Sequence, residues 1–210
     1  MKKIFVLLLL VLSLGFVSCT SEINISLNQN GTIDVHFQGT SGIAFSTLIR
    51  SASGVNEGEV VFDTNEISYE LAKNGFTAVN VNSKTGTDLS ISMKDEAKTS
   101  SLYTSGVLTN DKNNLTAVLS AQKLLNFYNA SDEELVTFLD MLLAPIFNNE
   151  VLSEAEYLDT IAVFYGEEAA KEIGESNFRI VLSAPDGRKS THIIPMSKLL
   201  TLNETLILSL

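Results

Sequence analysis

The sequence predicts an α+β fold, in which a mostly antiparallel sheet built from hairpins carries helices packed on it. Short segments of alternating apolar and polar residues come in adjacent pairs, and a tight-turn sequence separates the two members of each pair. Segments with helical periodicity lie between these pairs. The order hairpin, helices, hairpin, helices, hairpin differs from the regular strand–helix alternation of doubly wound nucleotide-binding folds.

Three hairpins are predicted. The first spans residues 23–37 and turns at Asn30-Gly31, a dipeptide typical of two-residue hairpin loops. The second spans residues 76–93, with its turn at 83–87, and the third spans 178–196 around Pro185-Asp186-Gly187. The segment "NLTAVLS" predicts a further strand, and the closing "TLILSL" predicts a buried last strand.

The helices are predicted from periodicity and capping residues. The segment "GIAFSTLIRSASG" has helical spacing, and "DTNEISYELAKNG" begins at a cap, Asp63 or Thr64, and ends at Gly75. "AQKLLNFYNA" and "EEAAKEIG" predict two short helices. Capping boxes at Ser131 and Ser153 predict two more helix starts, because each serine is followed three residues later by a glutamate. The polar segment "KDEAKTSS" is a candidate hinge.

The first residues of the chain are typical of a secretory signal peptide. Lys2 and Lys3 precede an uncharged apolar run, residues 4–17, which is shorter than the roughly 20 apolar residues that a membrane-spanning helix needs. The run ends next to Cys19, the only cysteine. We therefore assign residues 1–18 to a signal peptide.

Phe16-Val17-Ser18-Cys19 resembles the lipobox of bacterial lipoproteins, although that family usually has leucine at the position of Phe16. The resemblance implies that Cys19 is alkylated with diacylglycerol and becomes the new N-terminus after signal removal. Each buried acyl methylene contributes about 0.8 kcal/mol, so such an anchor holds a protein on a membrane. Residues 19–21 are then the lipid anchor with a very short tether, and residues 22–210 form a single α+β domain. The alternative is a leftover thiol in a secreted protein.

The second half of the chain resembles uncharacterised lipoproteins of the spirochaete type. The segments that carry this resemblance are "AQKLLNFYNASDEE", "LSEAEYLDTIAVFYGEEAAKEI" and "LSAPDGRKSTHIIPMSKLLTL". No activity, cofactor or ligand follows from it.

The charge of the chain argues against nucleic acid as a partner. Removal of residues 1–18 lowers the number of Lys and Arg residues from 14 to 12 and leaves the 25 Asp and Glu residues, so the formal charge changes from −11 to −13. Such a chain repels polyphosphates and anionic headgroups. With Cys19 carrying lipid, no disulfide and no thiolate metal site can form, and stability must come from the core.

Residues suited to catalysis do not form a coherent set in the sequence. His36 and His192 belong to no HxxxH or HExxH spacing, so no metal site and no cofactor are expected. The segment 39–42 precedes a predicted helix and could bind an anion, although a simple strand-to-helix turn is the favoured interpretation. The acidic pairs lie in first helical turns, where the helix dipole stabilises them. We predict that the protein is not an enzyme.

The predicted helix 135–147 is apolar around more of its circumference than one core-facing stripe requires. It is either a central core helix or the wall of an apolar groove or pocket for a lipid, a peptide or a partner helix. The candidate lining residues are Phe127, Tyr128, Leu135, Phe138, Leu139, Met141, Leu142, Phe164 and Tyr165.

Taken together, these features predict a non-enzymatic cell-envelope lipoprotein, periplasmic or surface-exposed, bound to the membrane through lipidated Cys19. Its expected role is a protein-interaction or assembly module with an envelope protein as partner. The alternative is a carrier of lipid or a small apolar ligand, with a pocket around residues 135–147.

Overall fold

The computed structural model of the protein describes residues 21–44, 46–47, 50, 62–84, 87–111, 114–128, 143, 148 and 150–210. Nine strands and six helices lie in these ranges, which confirms the predicted α+β class. The strands are β1 Ser21–Leu27, β2 Ile33–Thr40, β3 Thr77–Asn82, β4 Asp88–Asp95, β5 Leu108–Asp111, β6 Asn114–Leu119, β7 Asn177–Ser183, β8 Lys189–Pro195 and β9 Leu206–Ser209. The helices are α1 Thr64–Lys73, α2 Ser101–Thr104, α3 Ala121–Tyr128, α4 Glu154–Tyr165, α5 Glu167–Glu175 and α6 Met196–Thr201.

The strands form two sheets. The larger sheet has the order β3-β4-β2-β1-β7-β8 and the smaller sheet has the order β5-β6-β9. The three predicted hairpins are present as β1–β2, β3–β4 and β7–β8. All strand pairs are antiparallel except β1–β7, which is parallel and joins the first hairpin to the third. Together with the antiparallel β2–β4 pairing, which joins the first hairpin to the second, it makes a six-stranded sheet from the three hairpins.

The first hairpin shows why the alternating pattern produces a two-faced sheet. The amide of Gly31 donates to the carbonyl of Asn28 at 2.9 Å, and Gly31 has a φ of 82°, a conformation that glycine adopts without steric cost. The turn sets Ile23 opposite Phe37. Side chains alternate between the two faces of a strand, so every second residue of each strand reaches the core.

A single apolar cluster contains the buried residues of one sheet face, called the inner face, and residues from the helices. Each described helix contributes at least one residue to this cluster or packs against it. The residues concerned include Leu71 of α1, Leu102 of α2, Ala121 of α3, Tyr157 and Ile161 of α4, Ile173 of α5 and Leu199 of α6. Burial of these apolar surfaces from water is the main stabilising contribution to the fold.

Local capping signals place two helix starts correctly. The Asp63 carboxylate accepts from the amide of Asn65 at 2.9 Å, so Asp63 is the N-cap of α1. Ser153 and Glu156 form the predicted capping box at the start of α4. The capping box at Ser131 lies outside the described residues, and so does most of the predicted helix 42–54, although Ile43, Ala44, Ser46 and Thr47 are helical there.

The candidate hinge "KDEAKTSS" is held by an internal carboxylate. Asp95 is fully buried at the end of β4. Its Oδ1 accepts from the amides of Ala97 at 3.1 Å and Thr99 at 3.3 Å, and its Oδ2 accepts from the amide of Ser100 at 3.0 Å. These hydrogen bonds close a turn, because they bind three backbone donors within four residues, at 97, 99 and 100, to one buried side chain.

The prediction of a buried last strand is wrong in part. The strand exists as β9, and Leu208 is buried. However, β9 lies at the edge of the smaller sheet and pairs only with β6 among the described strands. Ile207, on the opposite face of the strand from Leu208, is 66% exposed. An apolar sequence does not distinguish an edge strand from a central one.

Candidate interaction surface on the open face of the sheet

The larger sheet has a second face, called here the outer face, which carries mostly polar side chains. The register of the strands arranges them in three rows that cross the sheet from β3 to β8. The rows are Asn80, Ser92, His36, Asn24, Val181 and Thr191; Asn82, Ser90, Gln38, Glu22, Arg179 and Ile193; and Thr77, Lys94, Asp34, Ser26, Ser183 and Lys189. The pattern that sends apolar residues into the core therefore also builds this surface.

The outer face is accessible to solvent. All of its residues are exposed or half-buried except Val181, which is 7% exposed. Although it is buried, Val181 does not belong to the core cluster. The described helices pack on the inner face instead, as their membership of that cluster shows.

Ion pairs across neighbouring strands organise the charges of the outer face. Nε of Arg179 lies 3.3 Å from Oε2 of Glu22, whose Oε1 accepts from the side-chain amide of Asn24 at 2.6 Å. Nζ of Lys94 lies 3.7 Å from Oδ1 of Asp34. These side chains are a third to half exposed, so each pair contributes little to stability. Across the four central strands they place two basic side chains on the outside, Lys94 and Arg179, and two acidic side chains between them, Asp34 and Glu22.

The dimensions of the outer face suit a protein partner. Six strands spaced about 4.8 Å apart span about 24 Å, and seven residues of a strand extend about 20 Å. The product of these dimensions is about 500 Å², which is more than half of the roughly 800 Å² that one partner buries in a standard protein interface.

The position of β1 relates this surface to the start of the chain. Ser21, assigned to the tether from the sequence, already belongs to β1 and is fully buried. Strand β1 lies inside the sheet, between β2 and β7. The end of the sheet at which β1 begins is called here the proximal end; Ser21, Thr40, Asp88, Asn177 and Pro195 lie there.

The predicted apolar lining residues are only partly within the described ranges. Leu135, Phe138, Leu139, Met141 and Leu142 lie outside them, as does Cys19; Phe127 and Tyr128 are the last two residues of α3. Phe164 is 73% exposed, whereas its neighbour Tyr165 is half-buried against the core. Their ring centroids are 6.4 Å apart. Leu143, from the same predicted helix as Leu142, is fully buried in the core cluster, as the core interpretation expects at that position.

The segment 39–42 acts as a strand-to-helix turn, the favoured interpretation. The amide of Ala44, at the start of the following helical residues, donates to Oε1 of Glu172 at 3.0 Å. The Ser41 amide donates to the Thr87 carbonyl at 2.8 Å, and the hydroxyls of Ser41 and Ser46 lie 2.5 Å apart. A carboxylate of the protein itself therefore supplies the negative charge that this helix start favours.

The two histidines lie on opposite faces of the larger sheet. His36 is half-buried on the outer face, between Asn24 and Ser92. His192 is opposite Ile180 on the inner side, with Nε2 3.2 Å from the hydroxyl of Ser190. The sheet separates the two rings, so they cannot bind one metal ion together.

Among the described residues, no three His, Cys, Asp or Glu side chains are close enough to hold a metal ion. In the same ranges, none of the helices has the length and apolar character that crossing a bilayer requires.

Sequence reasoning identified single strands of the outer face but not the face itself. The polar residues alternate visibly in "EINIS" and "DVHFQ", whereas "RIVLS" has three consecutive apolar residues. The joining of these segments into one surface depends on the parallel β1–β7 pairing, for which no local signal exists. Comparison with protein-family models, curated proteins and solved structures gives no match to this chain.

Proposed function

We propose that the protein is a cell-envelope lipoprotein, anchored to the membrane through lipidated Cys19, and that it acts as a non-enzymatic interaction or assembly module. The domain is periplasmic or surface-exposed, and the partner is another envelope protein. The observation that carries the proposal is the outer face of the larger sheet, which is broad, polar and open.

The chemistry of the outer face supports binding to a folded protein. The pairs Glu22–Arg179 and Asp34–Lys94 hold fixed charges of both signs on neighbouring strands. Such a pattern selects a partner with the complementary pattern, since like charges brought together across an interface are unfavourable. The backbone beneath is a six-stranded sheet, so little conformational entropy is lost when a partner binds.

The chain start supports an anchored module held close to the bilayer. Two residues extend over at most about 7 Å, so a lipid on Cys19 keeps Ser21 within that distance of its attachment point. Because β1 lies inside the sheet, the anchor holds the domain near the middle of the larger sheet rather than by an outer strand. An envelope partner at the same membrane then meets the outer face with a restricted set of orientations.

A carrier function, the alternative from the sequence, depends mainly on residues 135–142, which lie outside the described ranges. The described members of its lining set do not favour it. Phe164 is exposed to solvent, and Tyr165 is half-buried against the core. Leu143, from the same predicted helix but not a lining residue, also belongs to the core. We therefore keep the interaction module as the proposal.

Site-specific crosslinking in living cells tests the proposal on the anchored full chain. A photoreactive amino acid at Gln38, which is exposed on the outer face, should give a discrete crosslinked product with another protein. The matched control is Asp159, an exposed residue of α4. Arg179→Glu in the Gln38 variant should reduce the product about tenfold. The reversal puts a second acid beside Glu22, so the surface no longer matches the complementary charges of the partner.

Equal products at the two positions, or none at Gln38, would refute the outer face as an interaction surface. The anchor is tested separately with Cys19→Ser. That variant should leave the membrane fraction, and a variant that stays there would show that lipid on Cys19 is not what holds the protein.

A further inference from the structure

Ile43 is an apolar side chain held in water beside the proximal end of the sheet. It is 86% exposed, more than the other exposed large apolar residues of the described ranges. It follows the end of β2 by three residues. In the β1–β2 ladder Glu22 is opposite Gln38, so the end of β2 runs alongside the start of β1.

The backbone around Ile43 is fixed. The amide of Ala44 donates to Glu172, the amide of Ser46 donates to the carbonyl of Gly42 at 2.9 Å, and the hydroxyl of Thr47 donates to the carbonyl of Ile43 at 2.8 Å. Ile43 is therefore carried by a hydrogen-bonded backbone. Its exposure is therefore a property of the fold and not of a loose loop.

We infer that Ile43 makes a second contact with the membrane, in which its side chain enters the boundary between headgroups and acyl chains next to the lipid on Cys19. This inference rests on the proposed function, because it requires the lipid anchor. We assign a lipid bilayer as the surface that Ile43 contacts, because the short link from Cys19 to Ser21 keeps the proximal end at the bilayer surface.

Because the protein is already anchored, one inserted side chain is sufficient for a second contact with the membrane. Because the lipid already holds the domain at the surface, insertion of Ile43 is an intramolecular step with a high effective concentration. The apolar face of an interfacial helix enters about 5–10 Å into the boundary between headgroups and acyl chains, which is the depth within reach of one inserted side chain. The charge of the domain selects the kind of bilayer: the mature chain is strongly acidic, so a zwitterionic surface is favoured over an anionic one.

The exposed apolar residue Val163 provides a matched control. It is 80% exposed near the end of α4. Oε2 of Glu154, at the start of α4, accepts from the hydroxyl of Ser197, which is next to the proximal end. Val163 lies nine residues further along α4, about 13 Å of helix. Val163 is thus a comparably exposed apolar side chain on a different element, and we expect it to remain in water when Ile43 reaches the lipid.

The test uses tryptophan fluorescence, because the chain contains no tryptophan. Ile43→Trp and Val163→Trp are made separately in the full, lipidated chain and reconstituted in phosphatidylcholine vesicles, with and without bromine on the upper acyl positions. Ile43→Trp should show blue-shifted emission and about twofold quenching by the brominated lipid, which reaches the depth of interfacial side chains. Val163→Trp should emit as in water and be quenched little.

Flotation of the same vesicles distinguishes failure of the Ile43 contact from failure of the lipid anchor. If both variants float with the vesicles but Ile43→Trp is no more quenched than Val163→Trp, the contact by Ile43 is refuted and the anchor stands. If neither variant floats, the anchor itself is refuted, and the contact with it.

Discussion

Replacement of Asp95 with alanine should open the turn that follows β4 and destabilise the whole domain. The carboxylate of Asp95 has no solvent exposure and accepts three backbone hydrogen bonds. It also lies opposite Ile33 in the ladder of β2 and β4, at the margin of the core. Alanine removes the acceptor and leaves all three donors in place.

The magnitude follows from the burial of the donors. The hydrogen bond to the Ser100 amide is buried, and an orphaned buried donor costs about 1–3 kcal/mol. The bonds to Ala97 and Thr99 are half-buried, where water can replace part of the loss, so each contributes about 0.5–1 kcal/mol. The expected loss of unfolding free energy for Asp95→Ala is about 3 kcal/mol, against the 5–15 kcal/mol typical of a domain.

Urea unfolding followed by circular dichroism at neutral pH measures this loss. Asp95→Asn keeps one acceptor oxygen and should lose about half as much. Asp159→Ala, at an exposed position of α4, is the control and should change the free energy by less than about 0.5 kcal/mol. A loss below about 1 kcal/mol for Asp95→Ala would refute the reasoning, since it would mean that the three amides are satisfied without the carboxylate.

Two further predictions concern glycine positions and alkaline pH. Gly75→Ala should lower the free energy of unfolding by about 2–3 kcal/mol, and Gly187→Ala should lower it by about 1 kcal/mol. Both glycines have positive φ, but only the Cβ at Gly75 would meet backbone, 3.1 Å from the carbonyl oxygen of Thr99. Equal losses of stability in thermal unfolding would contradict this. Burial raises the pKa of Tyr157 above its usual value near 10, with a smaller contribution from Tyr165, so the folded state keeps it neutral. Stability should then fall as pH rises above about 10, by up to about 1.4 kcal/mol per pH unit for this group, and Tyr157→Phe should flatten the slope measured by urea unfolding.

Local sequence determined the elements whose signals are local. The turn that contains Asn30 and Gly31 and the capping box at Ser153 were predicted at their observed positions, and the cap of α1 was predicted as Asp63 or Thr64, of which Asp63 is observed. Each depends on residues within about four positions of one another, whose conformational preferences and hydrogen bonds are decided before any distant contact forms. The alternating pattern likewise assigned Ile23 and Phe37 to one face of the first hairpin.

The candidate surface needed more than those signals. Glu22 and Arg179 are far apart in the chain, and the parallel pairing of β1 with β7 brings them to 3.3 Å. Nothing local marks Glu22 as a partner of Arg179, since many acids and bases in the chain have equal charge and reach. The edge position of Ile207 and the carboxylate of Glu172 at the Ala44 amide depend on distant packing in the same way.

The sequence by itself therefore determined the class of the fold, the hairpins and the acidic character, and it supplied the signal from which lipidation of Cys19 is proposed. The tertiary structure alone decided the order of the six strands, the openness of the outer face and the exposure of Ile43 beside the start of β1. The physical reason is that turns and caps are local free-energy minima, whereas strand order is selected by the burial of one shared core. A residue's exposure is settled only when that core has formed.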